Sequence, residues 1–207
     1  MLRVPFPLER RDARHIVIDS SGLKIYGEGE WKVRQHGWRK RRTWRKIHLG
    51  VDETTQEVVA CVVTEREKAD GEALPQLLEQ IIDPLTQVSA DGSYDTADVY
   101  HAILDRAATP VIPPRANAVV NTGPAWAARN TTVARVGEIG RRAWTVEAGY
   151  HRRSLAETAM FRLKPLFGDH LRSRTTEGQR TEGAIRCAAL NRMTRLGMPD
   201  SYKVLAA

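Results

Sequence analysis

An α/β fold, with a mixed sheet flanked by helices, is the architecture this sequence predicts. Three observations predict it. Short runs rich in β-branched or apolar residues recur at 15–26, 44–52 and 57–64. A helical spacing then appears at Leu74, Leu77, Leu78, Ile81 and Ile82. After it, strand and helix signals alternate.

Residues 15–26 (HIVIDSSGLKIY) read as a first strand, interrupted or turned near Ser21-Gly22. Residues 44–52 (WRKIHLGVD) and 57–64 (EVVACVVT) read as two further strands. The turn residues Glu53 to Gln56 join them as a hairpin, with Asp52 and Glu53 at its corner. Residues 71–83 read as a helix, and 86–91 as a fourth strand ending at Asp91. Thr96 to Arg106 is a helix, with Asp95 and Asp98 as acids near its positive end. Residues 110–112 begin a fifth strand that Pro113-Pro114 stops. Residues 114–140, rich in Ala, Asn, Gly and Arg, have weak periodicity and read as a basic loop or small insertion, poorly ordered without a partner. A helix over about 149–164 follows, which Pro165 bends or ends. The last helix, about 178–197, turns Ile185, Leu190, Met193 and Leu196 inward.

A chain of 207 residues with 42% hydrophobic and 28% charged residues can build one substantial core, which excludes a disordered chain. No apolar run reaches the 18 or so residues of a membrane span, and the start lacks a signal-peptide core. The expected location is therefore the cytoplasm. Cys61 and Cys187 have no metal-type spacing and read as small buried apolar residues in a reducing compartment, with no zinc site. The net charge of +7 favours polyanionic partners. Much of the excess is local. Lys32, Arg34, Arg39, Lys40, Arg41, Arg42, Arg45 and Lys46 fall between Trp31 and Val51 with no acid among them. Trp31, Trp38 and Trp44 are interleaved with these cations. Cations grip phosphates, and indoles either stack on splayed bases or pack beneath the strip. A second basic zone runs from Arg152 to Arg195. Neither zone has the apolar face of a membrane-surface helix.

Tyr150, Arg153, Glu157 and Lys164 form the pattern Y-x2-R-x3-E-x6-K. On a helix these positions fall within roughly 60° of one another. One stripe would carry a carboxylate between cations and a phenol. That mixture serves a metal-dependent site that cuts phosphodiesters, and it also describes a solvated charged face. Two more acids, Asp19 and Asp91, each close a short strand-like run and open turn chemistry. Hard oxygen ligands converging from three elements suit Mg²⁺ or Mn²⁺.

With these motifs the chain resembles the DDE transposases of bacterial insertion sequences, in the branch marked by that signature, insertion-sequence family five. The matching stretches are IDSSGLKIYGEGEW, WRKRRTWRKIHLGVD, SADGSYDT, VIPPR, the helix stripe and ALNRMTRLGMP. They span nearly the whole chain from about residue 15 to about residue 200. The resemblance implies an RNase H-like mixed sheet flanked by helices over 15–200, with 1–14 as an N-terminal remnant or linker and 201–207 as a tail. It implies Asp19, Asp91 and Glu157 as catalytic and metal-ligating residues for two Mg²⁺ (or Mn²⁺) ions, Asp19 bridging the pair. It implies DNA contact by Tyr150, Arg153 and Lys164. The strip Trp38, Arg39, Lys40, Arg41, Arg42, Trp44, Arg45 and Lys46 is a further expected DNA contact. The expected partners are terminal inverted repeats and target DNA, with a homodimer on DNA, near the nucleoid and with no membrane. Three repelling carboxylates imply a site poorly formed without cations.

Two other readings stay open. One is an RNase H-like nuclease that hydrolyses without strand transfer. The other is a truncated or frame-split remnant that binds DNA only, since only 18 residues precede Asp19, whereas the family carries a longer N-terminal segment. An upstream reading frame would then supply a partner.

Overall fold

The computed structural model describes residues 12–25 and 44–197. Its sheet runs in the order β3-β2-β1-β4-β5, with β6 also paired to β1. The strands are β1 (Arg14–Ile25), β2 (Trp44–Asp52), β3 (Val58–Glu65), β4 (Leu85–Ser89), β5 (Thr109–Val111) and β6 (His170–Leu171). β1, β2 and β3 form an antiparallel meander, while β4 and β5 run parallel to β1. This is the mixed sheet of an RNase H-like fold, as the resemblance implies.

β1 is central because both of its faces are apolar, the mark of a strand covered on two sides. Ile16, Val17 and Ile18 are fully buried, each stabilising by about 1.5–3 kcal/mol relative to exposure. Alternation sends Ile16 and Ile18 to one layer and Val17 to the other. The first layer holds α1 (Leu74–Leu78) and α2 (Ala97–Leu104). The second holds α5 (Ser154–Phe167) and α6 (Thr176–Arg195). Between α2 and α5 lie α3 (Ala127–Ile139) and α4 (Arg141–Glu147).

β1 runs without interruption through Ser21-Gly22, contrary to the expected turn. Gly22 packs the Trp44 ring, which a Cβ there would meet at 3.3 Å, so its role is cross-strand packing. The segment expected as a loop contains α3, a 13-residue helix. Its weak apolar periodicity hid it. The helix is held by a buried ion pair instead: Arg129 Nε and Nη2 donate to Asp95 at 2.6 and 3.0 Å. Asp95, expected as a helix-end acid, is buried for that reason, and it also accepts from the Arg115 N–H.

α6 presents another face than expected. Ile185, Met193 and Leu196 are exposed, and Leu190 alone of the four is buried. The buried stripe is Gln179, Gly183, Cys187, Leu190 and Asn191, small and polar residues that let the helix lie close on β3. A Cβ at Gly183 would stand 2.8 Å from Val63 Cγ2. Polar residues belong there because β3 is an edge strand. The Asn191 carboxamide accepts from the Val58 N–H and donates to its carbonyl, both at 2.7 Å. Gln80 does the same for Cys61 at 3.0 and 3.1 Å. Two side chains thus satisfy backbone groups that a further strand would pair. Among the described residues no helix is long and apolar enough to cross a membrane.

Arg129→Ala strands the Asp95 carboxylate in the interior and is expected to cost about 3–5 kcal/mol in urea denaturation. A loss under about 1 kcal/mol would contradict the role given to this pair. His48 supplies a pH test. It is fully buried on β2, with Nε2 2.9 Å from Thr64 Oγ1, and burial pushes its pKa down to about 4. The unfolded chain takes up this proton near pH 6.5, the folded chain only near pH 4, so stability falls as pH drops through that window. His48→Gln is expected to flatten the fall by up to about 3 kcal/mol, read from denaturation curves between those pH values.

Candidate active site

Register builds the site. The last β1–β4 pair is Val17 with Ser89. Asp19 and Asp91 each lie two residues beyond their member of that pair, so both carboxylates stand at the same level of adjacent parallel strands. Farther along, β6 takes the vacated side of β1, pairing at Lys24 and Ile25. Between Val17 and Lys24, β1 has no strand on that side, and the gap opens at Asp19.

Asp19 shares the face of Val17, toward α5. Ala156, Ala159, Met160 and Leu163 seat α5 on the sheet. Glu157, next to Ala156, therefore falls on the rim of the contact. Arg153 closes the arrangement: Nη1 lies 3.4 Å from Asp19 Oδ1, and Nη2 donates to Glu157 Oε1. One guanidinium thus stands between the first and third acids. The chain thus places a cation of its own between these two acids. Burial raises the Asp19 pKa, Arg153 opposes the rise, and Asp91 and Glu157 add to it.

Asp91 caps the 3₁₀ turn Gly92–Tyr94, accepting from the Ser93 N–H at 2.8 Å and from the Ser93 hydroxyl, both on Oδ1. Oδ2 remains for other work. Tyr94 is buried beneath, its hydroxyl meeting Ser20 and lying 3.5 Å from His48 Nδ1. The neighbouring carboxylates and burial raise its pKa, so it is a neutral phenol.

The signature stripe is not one helix. Tyr150 and Arg153 lie on a 3₁₀ turn, Tyr150–Arg153, and α5 begins at Ser154. Gly149 in the left-handed conformation, with φ of 65°, separates this turn from α4. Tyr150 still joins the group: the Arg153 guanidinium lies 5.9 Å from its ring centre, and Trp144 packs against it at 5.8 Å. Lys164 is seven positions past Glu157, about 10 Å along the helix. Two turns of helix thus put it on the same helix face as Glu157, beyond contact with it. Pro165 does not end the helix, which continues to Phe167. The carbonyl it leaves without a donor belongs to Phe161, on the exposed side.

Of the basic strip, Trp38, Arg39, Lys40, Arg41 and Arg42 lie outside the described residues. Trp44, Arg45 and Lys46 are half-buried and have partners within the fold. Lys24 Nζ lies 5.7 Å from the Trp44 ring centre. Arg45 donates to Gln179 at 2.8 Å, and Lys46 pairs with Asp70 at 3.0 Å. The physical reason is that β2 is an interior strand, so its side chains meet the flanking layers.

Among the described residues no three His, Cys, Asp or Glu side chains already stand as a ready cluster for a metal ion. The donor chemistry nonetheless fits one. Three carboxylates from three elements are the hard oxygen ligands that Mg²⁺ and Mn²⁺ take, and Arg153 already occupies a cation's position between two of them. Sequence reasoning missed Asp70 and Ser93, which adjoin Asp91. Ser93 had a visible signal, since a hydroxyl two residues after an Asp that opens a turn is a local hydrogen-bonding pattern. Asp70 had none beyond standing before a helix.

A family model described as transposase DDE domain matches residues 10–192. Among solved structures, the chain is similar to piggyBac transposase in a cryo-EM synaptic complex with hairpin DNA, at 9% identity and a TM-score of 0.45. The match covers 88% of this chain and 46% of that one, so the chain spans about half the length of that transposase.

Proposed function

The chain belongs to the transposase DDE domain family, and from that premise we propose that it is a DNA transposase that cleaves and joins strands at the ends of a bacterial insertion sequence of the family-five type. The observation that carries the reading is the meeting of Asp19 and Glu157 on one guanidinium, with Asp91 at the level of Asp19 on the adjacent strand.

In this reading residues 15–200 are the catalytic domain, and Asp19, Asp91 and Glu157 hold two Mg²⁺ or Mn²⁺ ions. The ions supply charge neutralisation at phosphorus and activation of the attacking oxygen. Each step is an in-line substitution: one P–O bond forms, the opposite P–O bond breaks, and the leaving 3′ oxygen takes up a proton. Water attacks in cleavage; the freed 3′-hydroxyl attacks target DNA in joining. Asp19, the acid that Arg153 and the level of Asp91 both bring into the group, would be the ligand common to the ions. Arg153 balances Asp19 and Glu157 until ions arrive, then turns to a phosphate. A guanidinium suits both tasks because its planar fork fits carboxylate and phosphate alike. Tyr150 orients Arg153 from below, and Lys164 receives the strand farther along the helix. Trp38, Arg39, Lys40, Arg41 and Arg42 extend the DNA contact, with Trp44, Arg45 and Lys46 as its footing on the sheet. Pairing of two element ends calls for two copies of the chain on DNA, acting in the cytoplasm at the nucleoid.

The test is strand transfer of a labelled element end in Mg²⁺. Asp19→Asn, Asp91→Asn and Glu157→Gln are each expected to lower the rate at least about 10²-fold, the scale of losing a charge-stabilising group. Wild-type rates from Asp91→Asn would end the assignment. Hydrolysis of an RNA–DNA hybrid with no joining would point to a plain nuclease.

A further inference from the structure

Asp70 and Ser93 stand beside Asp91, outside the three acids and the signature. Asp70 opens the 3₁₀ turn Asp70–Ala73 ahead of α1. Lys46 fixes it by donating to its Oδ1 at 3.0 Å, and the same ammonium donates to the Lys68 carbonyl at 2.9 Å. The other oxygen, Oδ2, lies 3.2 Å from Ser93 Oγ. Ser93 reaches Asp91 Oδ1 twice, through its hydroxyl and through its backbone N–H at 2.8 Å.

The Ser93 hydroxyl carries one proton and has two carboxylates in reach. Its closer approach is to Asp91, so the proton goes there. One proton cannot serve Asp70 at the same time. A carboxylate whose Oδ1 receives two donors is held in a single rotamer, with Oδ2 aimed away from them. Lost donors free that rotation, and an ion ligand that rotates binds more weakly.

We infer that Ser93 is a positioning residue that fixes the rotamer of Asp91. This rests on the reading above that Asp91 is an ion ligand.

The test is Mn²⁺ titration of the full chain by calorimetry, with thermal melts in the absence of Mn²⁺. Ser93→Ala is expected to weaken Mn²⁺ binding by about 10–100-fold. Ser93→Thr, which keeps the hydroxyl, is expected to stay within about threefold of wild type, given the cost of fitting a methyl group. Melting temperatures are expected to stay close to wild type. Equal losses in Ser93→Ala and Ser93→Thr would overturn the inference. Asp91→Asn separates the two readings. If it abolishes Mn²⁺ binding while Ser93→Ala binds as wild type does, the positioning role fails alone. If Asp91→Asn leaves binding unchanged, both readings fail.

Discussion

Parallel pairing of β1 with β4 stops at Val17 and Ser89, and each chain continues two residues to a carboxylate. Adjacent strands lie about 4.8 Å apart. Two acids at one level on neighbouring strands are therefore close whatever their side chains do. The rest of the site depends on that register. A slip of one residue would turn Asp19 to the opposite face, away from α5, and bring Ile18 to the rim. Burial of Ile16 and Ile18 on one face and Val17 on the other makes such a slip costly. The hydrophobic layers fix the chemistry because they fix the register.

Electrostatics then decides how three acids coexist without bound cations. Asp19 is the most enclosed, and its raised pKa shows the cost of holding charge there. Arg153 offsets this cost by standing against both Asp19 and Glu157. Asp91 is stabilised differently, by local donors from Ser93. A second cation, Lys46, is committed to Asp70. The basic excess of the chain is thus partly spent on internal acids. Arg129 with Asp95 and Arg14 with Asp52 and Asp83 extend the same economy to the buried interior.

The segment between β5 and α5 is joined to the site through Asp95. Only three residues separate Asp91 from Asp95, and the buried pair with Arg129 fastens α3 there. α4 follows α3, and Trp144 of α4 packs on Tyr150 just ahead of the Arg153 turn. The helical pair therefore touches the site's surroundings at two points, Asp95 past Asp91 and Tyr150 ahead of Arg153.

By itself the sequence determined the strands, the order of the three acids and the family resemblance. The cause is local: alternation, turn residues and motif spacing are properties of neighbouring positions. β2 was legible to the residue, as was the hairpin at Asp52 and Glu53. Tertiary structure alone decided the rest. α3 lacks an apolar stripe because an ion pair from a distant strand end holds it, and no window of α3 contains Asp95. α6 turns a polar stripe inward because an edge strand needs donors and acceptors, which a rule of apolar burial reads backwards. The positions Tyr150, Arg153, Glu157 and Lys164 do not share one helix, since a 3₁₀ turn precedes it. Asp70 meets Ser93 only after the sheet has closed. Contacts between residues far apart in the chain are set by packing, and spacing carries no trace of them.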